Sequence, residues 1–289
     1  MNIQLDGGVA PQTQSRISVP TGKRGKKLIV FSIDKRQKFV LGVSILSLGL
    51  FITEFQFGQS GIVFIIAVVL SLLTDLFLFW AIRHDMKGNF TPSLFILPLF
   101  YSLAFALFYF LVPARIIFKL LLTVLYAFGL YSLYLSQNIF TVSSIRTIAL
   151  LSGARIVSFV ITLISYFFLT NIVFTLHLPL PITGGIMALY TFPLIYQSIW
   201  TYTLQKSPHP LKLWSSVLSL CLVEAATLIW FWPTSPTVIA LFLTGFLYTL
   251  VGLSHVWFEK RLFRGVLWEY VWVGVIVFFV LNLFTSWGK

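Results

Sequence analysis

The chain has 289 residues, of which 58% are hydrophobic and only 10% are charged. Soluble domains carry about 25% charged residues, so this composition excludes a soluble globular enzyme, a coiled coil and a disordered protein. The single cysteine, Cys221, excludes an intramolecular disulfide and a cysteine-based zinc cluster. The composition therefore predicts a membrane protein with several spans.

Residues 1–38 form a polar N-terminal tail rich in Gln, Ser, Gly and Pro, which we expect to be disordered and cytoplasmic. Basic residues crowd towards its end, where each would contribute about 1 kcal/mol to binding anionic lipid headgroups. They are Lys23, Arg24, Lys26, Lys27, Lys35, Arg36 and Lys38. We attribute the net charge of +12 to membrane orientation and not to binding of nucleic acid.

Nine apolar stretches follow the tail, and each is long enough for a helix that crosses a bilayer core of about 30 Å. They are continuously apolar and do not alternate, which favours helices over the strands of a membrane barrel. The stretches are 39–55, 61–82, 93–111, 116–136, 156–176, 184–204, 214–232, 237–257 and 266–286. We predict an all-α integral membrane protein in which residues 39–289 form one bundle of about nine transmembrane helices.

The distribution of basic residues predicts the orientation of this bundle. With a cytoplasmic N-terminus, the cytoplasmic side receives all of the 20 basic residues except Arg115, Lys119 and Lys289. The insertion machinery recognises this positive-inside asymmetry. It predicts a cytoplasmic N-terminus, an external C-terminus and a multi-pass protein of the plasma membrane, and we expect a prokaryotic source.

Two acidic residues lie deep within predicted spans, where an ionisable side chain costs at least about 2.5–3.5 kcal/mol. Asp75 lies two-thirds of the way along the second span, and Glu224 lies at the middle of the seventh. Because their predicted heights are similar, we expect one hydrated cavity that holds both carboxyls and takes a proton or a cation. Hydrogen bonding between helices by neutral carboxyls is the alternative.

A second group of candidate residues lies at the predicted cytoplasmic rim. His84 and Asp85 follow the second span, His255 and Glu259 are one helical turn apart at the end of the eighth, and Glu269 lies near the start of the ninth. Such a group could hold a divalent metal over a lipid phosphate. It would make the protein a membrane-embedded enzyme that acts on a lipid-linked substrate.

Other residues are expected at the membrane boundary for simpler reasons. Glu54, Lys119 and Arg155, like His255 and Glu269, lie within about one turn of a predicted span end, where they can extend towards the headgroups. The long connection 137–155 has apolar residues at helical spacing, which predicts an amphipathic helix lying in the interface.

The third and sixth predicted spans each contain an internal proline in similar surroundings, Pro98 and Pro193. Proline bends a helix and leaves a carbonyl one turn back without its donor. The two spans cross in opposite directions, and paired broken helices of this kind form the midplane site of inverted-repeat transporters. We treat the two prolines as candidate helix kinks. They belong either to an inverted repeat or to ordinary packing kinks that have no functional role.

The sequence contains no motif of a known family and indicates no cofactor and no metal. We favour a permease-like protein that binds and moves a small molecule, an ion or a lipid, with Asp75 and Glu224 as its intramembrane carboxylates. The alternatives are the membrane-embedded enzyme described above and a non-catalytic scaffold subunit of a membrane complex.

The orientation can be tested by labelling single cysteines introduced into the connections of a chain whose Cys221 is replaced by serine. Positions 60, 177 and 235 should react with an impermeant thiol reagent from outside the cell. Positions 88, 146, 208 and 262 should react only after the membrane is opened. One inverted position among the middle connections would contradict the nine-span topology, because every later connection depends on the same count.

Overall fold

The computed structural model describes residues 35–57, 63–83, 91–112, 115–143, 150–204 and 209–285. Most of the predicted tail lies outside these residues, as do His84 and Asp85. Within them the chain forms nine α-helices and no strand, which confirms the predicted all-α fold. The helices are α1 Lys35–Phe57, α2 Val63–Ile82, α3 Ser93–Leu111, α4 Ile116–Ser143, α5 Leu151–Thr175, α6 Leu180–Thr203, α7 His209–Ile229, α8 Pro236–Phe258 and α9 Arg264–Leu283.

Eight of the nine described helices are long and apolar enough to cross a membrane, as expected for a membrane bundle. The exception is α6, which has 24 residues, or about 36 Å of helix, but a more polar composition. Its Thr191, Gln197 and Ser198 side chains are buried inside the bundle. The polar composition of α6 therefore reflects contact with other helices and not with lipid.

Side-chain contacts define two ends of the bundle. At the first, which we call the Arg155 end, Arg155 near the start of α5 contacts the last turn of α6 and Glu259 after α8. At the opposite end, which we call the His177 end, His177 and Leu178 follow α5. There Trp230, directly after α7, donates a hydrogen bond to the Leu178 carbonyl at 3.3 Å.

The remaining helices alternate between the same two ends. Phe39 near the start of α1 contacts Tyr134 in the second half of α4, with ring centroids 5.9 Å apart. Trp214 near the start of α7 donates to Ser254 near the end of α8 at 3.2 Å. The starts of the odd-numbered helices and the ends of the even-numbered helices therefore lie at the Arg155 end.

The helices α3 and α5 form the centre of the bundle. α3 packs against α1, α2, α4, α5 and α6, and α5 packs against α3, α4, α6 and α8. Phe105 and Phe108 of α3 contact Phe168 of α5, with ring centroids 4.9 and 4.1 Å apart. Each such aromatic pair contributes about 0.5–1.5 kcal/mol beyond the area that it buries. Every other helix except α9 packs against one of these two or against α6.

The segment 137–155 is not a separate interfacial helix in the part of the chain that the structure describes. α4 continues to Ser143, and α5 begins at Leu151. For residues 137–143 the prediction was wrong, because the side chain of Gln137 is fully buried. Residues 144–149 lie outside the described part of the chain. The first residues of this segment therefore pack in the bundle as a continuation of α4.

Pro98 and Pro193 lie inside α3 and α6, and each helix continues across its proline. α3 and α6 do pack together and run in opposite directions. An inverted repeat would place the two prolines at equal distances from the starts of their helices. Pro98 is five residues from the start of α3, whereas Pro193 is thirteen residues from the start of α6. The two positions are not related in the way that such a repeat requires.

The helix α9 lies at the edge of the bundle and packs against α8. Gly245 and Gly252, which are two turns apart on one face of α8, allow the two backbones to approach closely. A Cβ atom at Gly252 would lie 2.4 Å from the Tyr270 ring, and one at Gly245 would lie 2.6 Å from Val277. Small residues are the usual means of close helix packing in membranes.

Gly252→Ala should weaken the packing of α9 by about 1–3 kcal/mol, because the added methyl group overlaps the Tyr270 ring. The matched control is Gly185→Ala on α6, where nothing lies within 4 Å of an added Cβ. That change should be neutral or stabilise the helix by up to about 1 kcal/mol. Thermal unfolding in detergent measures both, and equal effects would contradict the close approach of α8 and α9.

Candidate functional site

Arg155 links the ends of three helices. Its guanidinium donates from Nε to the Thr201 carbonyl at 3.0 Å and from Nη2 to the Tyr202 carbonyl at 3.1 Å. Nη1 lies 3.4 Å from Oε1 of Glu259. The last carbonyls of a helix have no donor within the helix and form the negative end of its dipole. Arg155 of α5 therefore caps α6 and connects it to the end of α8.

Tyr202 and His255 extend this contact into the bundle. The guanidinium carbon of Arg155 lies 4.8 Å from the centroid of the Tyr202 ring. Tyr202 stacks on His255 with ring centroids 3.9 Å apart, and His255 Nε2 lies 3.1 Å from Ser198 Oγ. We call Arg155, Ser198, Tyr202, His255 and Glu259 the Arg155 cluster. His255 and Ser198 are buried, so polar contacts join α5, α6 and α8 away from lipid.

Five further polar side chains lie at one level, two helical turns from the Arg155 end. Asp75, Gln137 and Gln197 precede the ends of α2, α4 and α6 by seven, six and six residues. Ser158 and Ser215 follow the starts of α5 and α7 by seven and six residues. At about 1.5 Å per residue, all five lie about 9–10 Å from that end along their helices. We call these five residues the polar layer.

Each residue of the polar layer has a buried polar atom to which the described residues offer no hydrogen bond. These atoms are both amide atoms of Gln137 and of Gln197, Oγ of Ser158 and of Ser215, and Oδ1 of Asp75. A buried polar group without a partner costs about 1–3 kcal/mol, and hydrocarbon offers no partner in its place. Water or a polar ligand would be stabilised at this level of the bundle.

Four polar side chains close to this layer in α2, α3 and α4 are paired. Thr74 Oγ1 lies 2.7 Å from Ser102 Oγ, which lies 2.9 Å from the Tyr126 hydroxyl. The Tyr134 hydroxyl donates to the Thr74 carbonyl at 2.7 Å. The interior of the bundle therefore pairs part of its polar groups. Four further residues also have a buried polar atom without a described partner: Asn138, Ser143, Tyr166 and Thr191. The first of them directly follows a residue of the polar layer in the chain, and the other three do not lie at the level of the layer on their helices.

Asp75 and Glu224 do not share a cavity. α2 packs against α1, α3 and α4, whereas α7 packs against α6 and α8. Asp75 lies about 10 Å from the Arg155 end, but Glu224 is fifteen residues from the start of α7, or about 22 Å. Glu224 is also exposed on the outer surface of the bundle. The expectation failed because α7 begins at His209, five residues before the predicted span, and buries the opposite face.

The predicted rim is only partly assembled in the described residues. His255 and Glu259 both belong to the Arg155 cluster, whereas Glu269 is exposed on α9. His84 and Asp85 lie outside the residues that the structure describes. Within those residues, no three His, Cys, Asp or Glu side chains are grouped so that they could hold a metal ion.

The prediction from the sequence missed most of the polar layer, because within the spans it considered only ionisable side chains. Gln137 and Gln197 could have been found as primary amides inside otherwise apolar helices, where they are as unusual as a charge. Arg155 was expected to anchor its helix at the interface. Its contact with α6 was not visible in the sequence, because Thr201 and Tyr202 are 46 and 47 residues away.

A separate cavity of about 260 Å³ lies at the His177 end. Its walls include Phe174, His177, Trp230 and Trp232. The indole of Trp230 donates to the Leu178 carbonyl, and that of Trp232 donates to a hydroxyl after α9. Because both indoles are already paired, this cavity has fewer free polar groups than the polar layer.

Comparison with known proteins identifies a family that includes nearly the whole bundle. A family model described as "Protein of unknown function (DUF5656)" matches residues 40–284. The chain belongs to this family. The matched range includes all residues of the polar layer and of the Arg155 cluster. No curated protein and no solved structure matches the chain.

Two matched substitutions test whether Ser158 is unpaired. Ser102→Ala removes a buried hydroxyl with partners on two other helices and should lower the free energy of unfolding by about 1–3 kcal/mol. Ser158→Ala removes a buried hydroxyl without a described partner and should leave stability unchanged or raise it. Thermal unfolding in detergent measures both. Equal losses would show that Ser158 has a partner.

Proposed function

We propose that Gln137, Ser158 and Gln197 of the polar layer form a binding site for a small polar molecule within the membrane, and that the protein is a permease-like carrier of that molecule. The observation that carries the proposal is the set of unpaired buried atoms of these three side chains at one level of α4, α5 and α6, of which α5 packs against the other two. Natural proteins pair nearly all of their buried polar groups, and exceptions are typical of sites that bind water or ligands.

The chemistry of the layer suggests the class of ligand. The two amides and the Ser158 hydroxyl can each donate and accept hydrogen bonds, and none of the three carries a charge. A neutral molecule with several hydroxyl or amide groups matches this set. An anion does not, because the layer contains no basic side chain to compensate its charge.

Both alternatives have less support. The enzyme would need the predicted rim to hold a metal, and the described residues supply only His255 and Glu259, which are bound to Ser198 and Arg155. A scaffold subunit would have no reason to keep five unpaired polar side chains, since apolar residues of the same size would be more stable.

The proposal is tested by the access of water to the polar layer. In a chain with Cys221 replaced by serine, Ser158→Cys should react with a charged methanethiosulfonate reagent at least tenfold faster than Ser165→Cys. The control lies two turns further along the same face of α5 and is equally buried, but its native hydroxyl is bonded to the Ile161 carbonyl at 2.8 Å. Rates are measured in membranes, without detergent.

The same labelling assay identifies the ligand. Polyols, amino acids and amines at millimolar concentration are screened for protection of the Ser158→Cys thiol, and a protecting class is then tested for uptake into proteoliposomes. Gln197→Met should abolish protection and uptake without loss of stability, because it removes only unpaired atoms. If both cysteines are unreactive until the protein is denatured, the layer is dry and the scaffold function is favoured.

A further inference from the structure

The turn between α8 and α9 carries three basic side chains whose charges are not neutralised by the described residues. Lys260, Arg261 and Arg264 are close together in the chain, and all three are exposed. Within the described part of the chain, none of them forms an ion pair. Glu259, the acidic residue of the turn, is already bound to Arg155 at 3.4 Å. The turn therefore presents three positive charges at one place on the surface.

The end of α8 holds this turn in a defined conformation. The Lys260 N–H donates to the Trp257 carbonyl at 3.0 Å, and the Arg261 N–H donates to the Val256 carbonyl at 3.1 Å. The backbone of Lys260 is left-handed, with a φ of 56°, in a position after a helix where glycine is usual. A lysine in this conformation is strained relative to glycine, and such residues are concentrated at active sites and ligand-binding sites.

Lys260 also lines a surface cavity of about 410 Å³ whose other walls are apolar side chains: Trp257, Phe258 and Leu262. Both α8 and α9 are long and apolar enough to cross a membrane, so the turn between them lies at the membrane boundary. Tryptophan prefers this level, and the exposed Trp257 is placed accordingly. The cavity therefore combines an apolar surface at the edge of the hydrocarbon with a positive charge at the height of the headgroups.

An anionic phospholipid matches both parts of this surface. Arginine binds phosphate oxygens through two parallel N–H bonds, and lysine adds a compact positive charge. Basic pockets beside transmembrane helices are a usual place for anionic headgroups to bind. A soluble anion would leave the apolar walls uncovered, and a zwitterionic lipid would bring a positive group of its own next to three cations. Glu269, the acidic residue of α9, lies about 140° around the helix from Arg264 and does not neutralise the turn.

We call the following residues the α8–α9 site: Trp257, Phe258, Lys260, Arg261 and Arg264. We propose that one anionic phospholipid binds at the α8–α9 site, with its phosphate bound by the three basic side chains and an acyl chain packed against the two aromatic ones. The site shares no residue with the polar layer. Failure of the carrier function would therefore leave this proposal intact.

The first experiment measures lipid binding to the purified full chain by native mass spectrometry, with phosphatidylglycerol and phosphatidylcholine of the same chain length. The wild type should bind phosphatidylglycerol at least tenfold more tightly. Replacing Lys260, Arg261 and Arg264 together by Gln should lower this preference at least fivefold, because the amides keep hydrogen-bonding groups but lose the charge. Lys260→Arg, which keeps the charge, should stay within twofold of the wild type.

The matched control is Lys212→Gln, which removes one exposed basic side chain from α7 at the same end of the bundle. It should leave the lipid preference within twofold of the wild type, whereas Arg264→Gln should lower it at least threefold. Thermal unfolding in detergent confirms that each variant is folded. If Lys212→Gln lowers the preference as much as Arg264→Gln, the basic end attracts anionic lipid without a specific site, and the proposal is overturned.

The second experiment locates the lipid and distinguishes it from a free anion. A photoreactive benzophenone side chain at position 262 should cross-link to phosphatidylglycerol in liposomes at least fivefold more than one at position 213, which is exposed on α7 beside Lys212. Millimolar inorganic phosphate should not reduce this cross-linking. Equal cross-linking at the two positions, or displacement of the lipid by inorganic phosphate, would overturn the proposal.

Discussion

Hydrocarbon offers no hydrogen-bond partner, and this constraint decides where each polar side chain of the bundle lies. The buried polar side chains of α6 lie among the helices against which it packs, α3, α5, α7 and α8, whereas its exposed face contains apolar residues such as Leu189. Many hydroxyls bond to a backbone carbonyl one turn back, as Thr162 and Ser165 do on α5. The Arg155 cluster obeys the same rule, because the carbonyls at the end of α6 are the partners of the guanidinium. Against this background, the buried polar atoms without a described partner stand out, and five of the residues that have them form the polar layer.

The Arg155 cluster and the polar layer are neighbours on the same helices. Arg155 and Ser158 are three residues apart on α5, so they lie on one face of that helix. Ser198 of the cluster follows Gln197 of the layer on α6. The cluster therefore holds the ends of α5, α6 and α8 in place within one helical turn of Ser158 and Gln197.

The sequence predicts the architecture well because the hydrophobic signal is continuous over each helix. The nine predicted segments correspond in order to α1–α9, and their ends differ from the observed ends mainly at α4, α5 and α7. These differences arise where polar residues such as Gln137 extend a helix inside the protein. Composition alone could not distinguish a polar segment in the interface from one that is buried among other helices.

The candidate site could not be predicted in the same way. Sequence depth singled out Asp75, whose side chain is partly buried with an unpaired Oδ1, but depth contains no information on which side of a helix faces the bundle. Glu224 is an example. The helix α7 begins five residues earlier than predicted, and Glu224 lies on its exposed face, so the Glu224 side chain is not in the interior of the bundle. The partners of His255 were equally hidden, because Ser198 is 57 residues away.

The peripheral position of α9 has a consequence for how the protein is made. During synthesis the chain leaves the ribosome from its N-terminus, so α1–α8 enter the membrane before α9 is complete. Because α9 packs against α8, the eight earlier helices can assemble their mutual contacts without waiting for it. The glycines of α8 then form a ready surface for the arriving helix. The order of synthesis and the order of packing therefore coincide. This limits the time that the polar side chains at the centre of the bundle spend in the bilayer without hydrogen-bond partners.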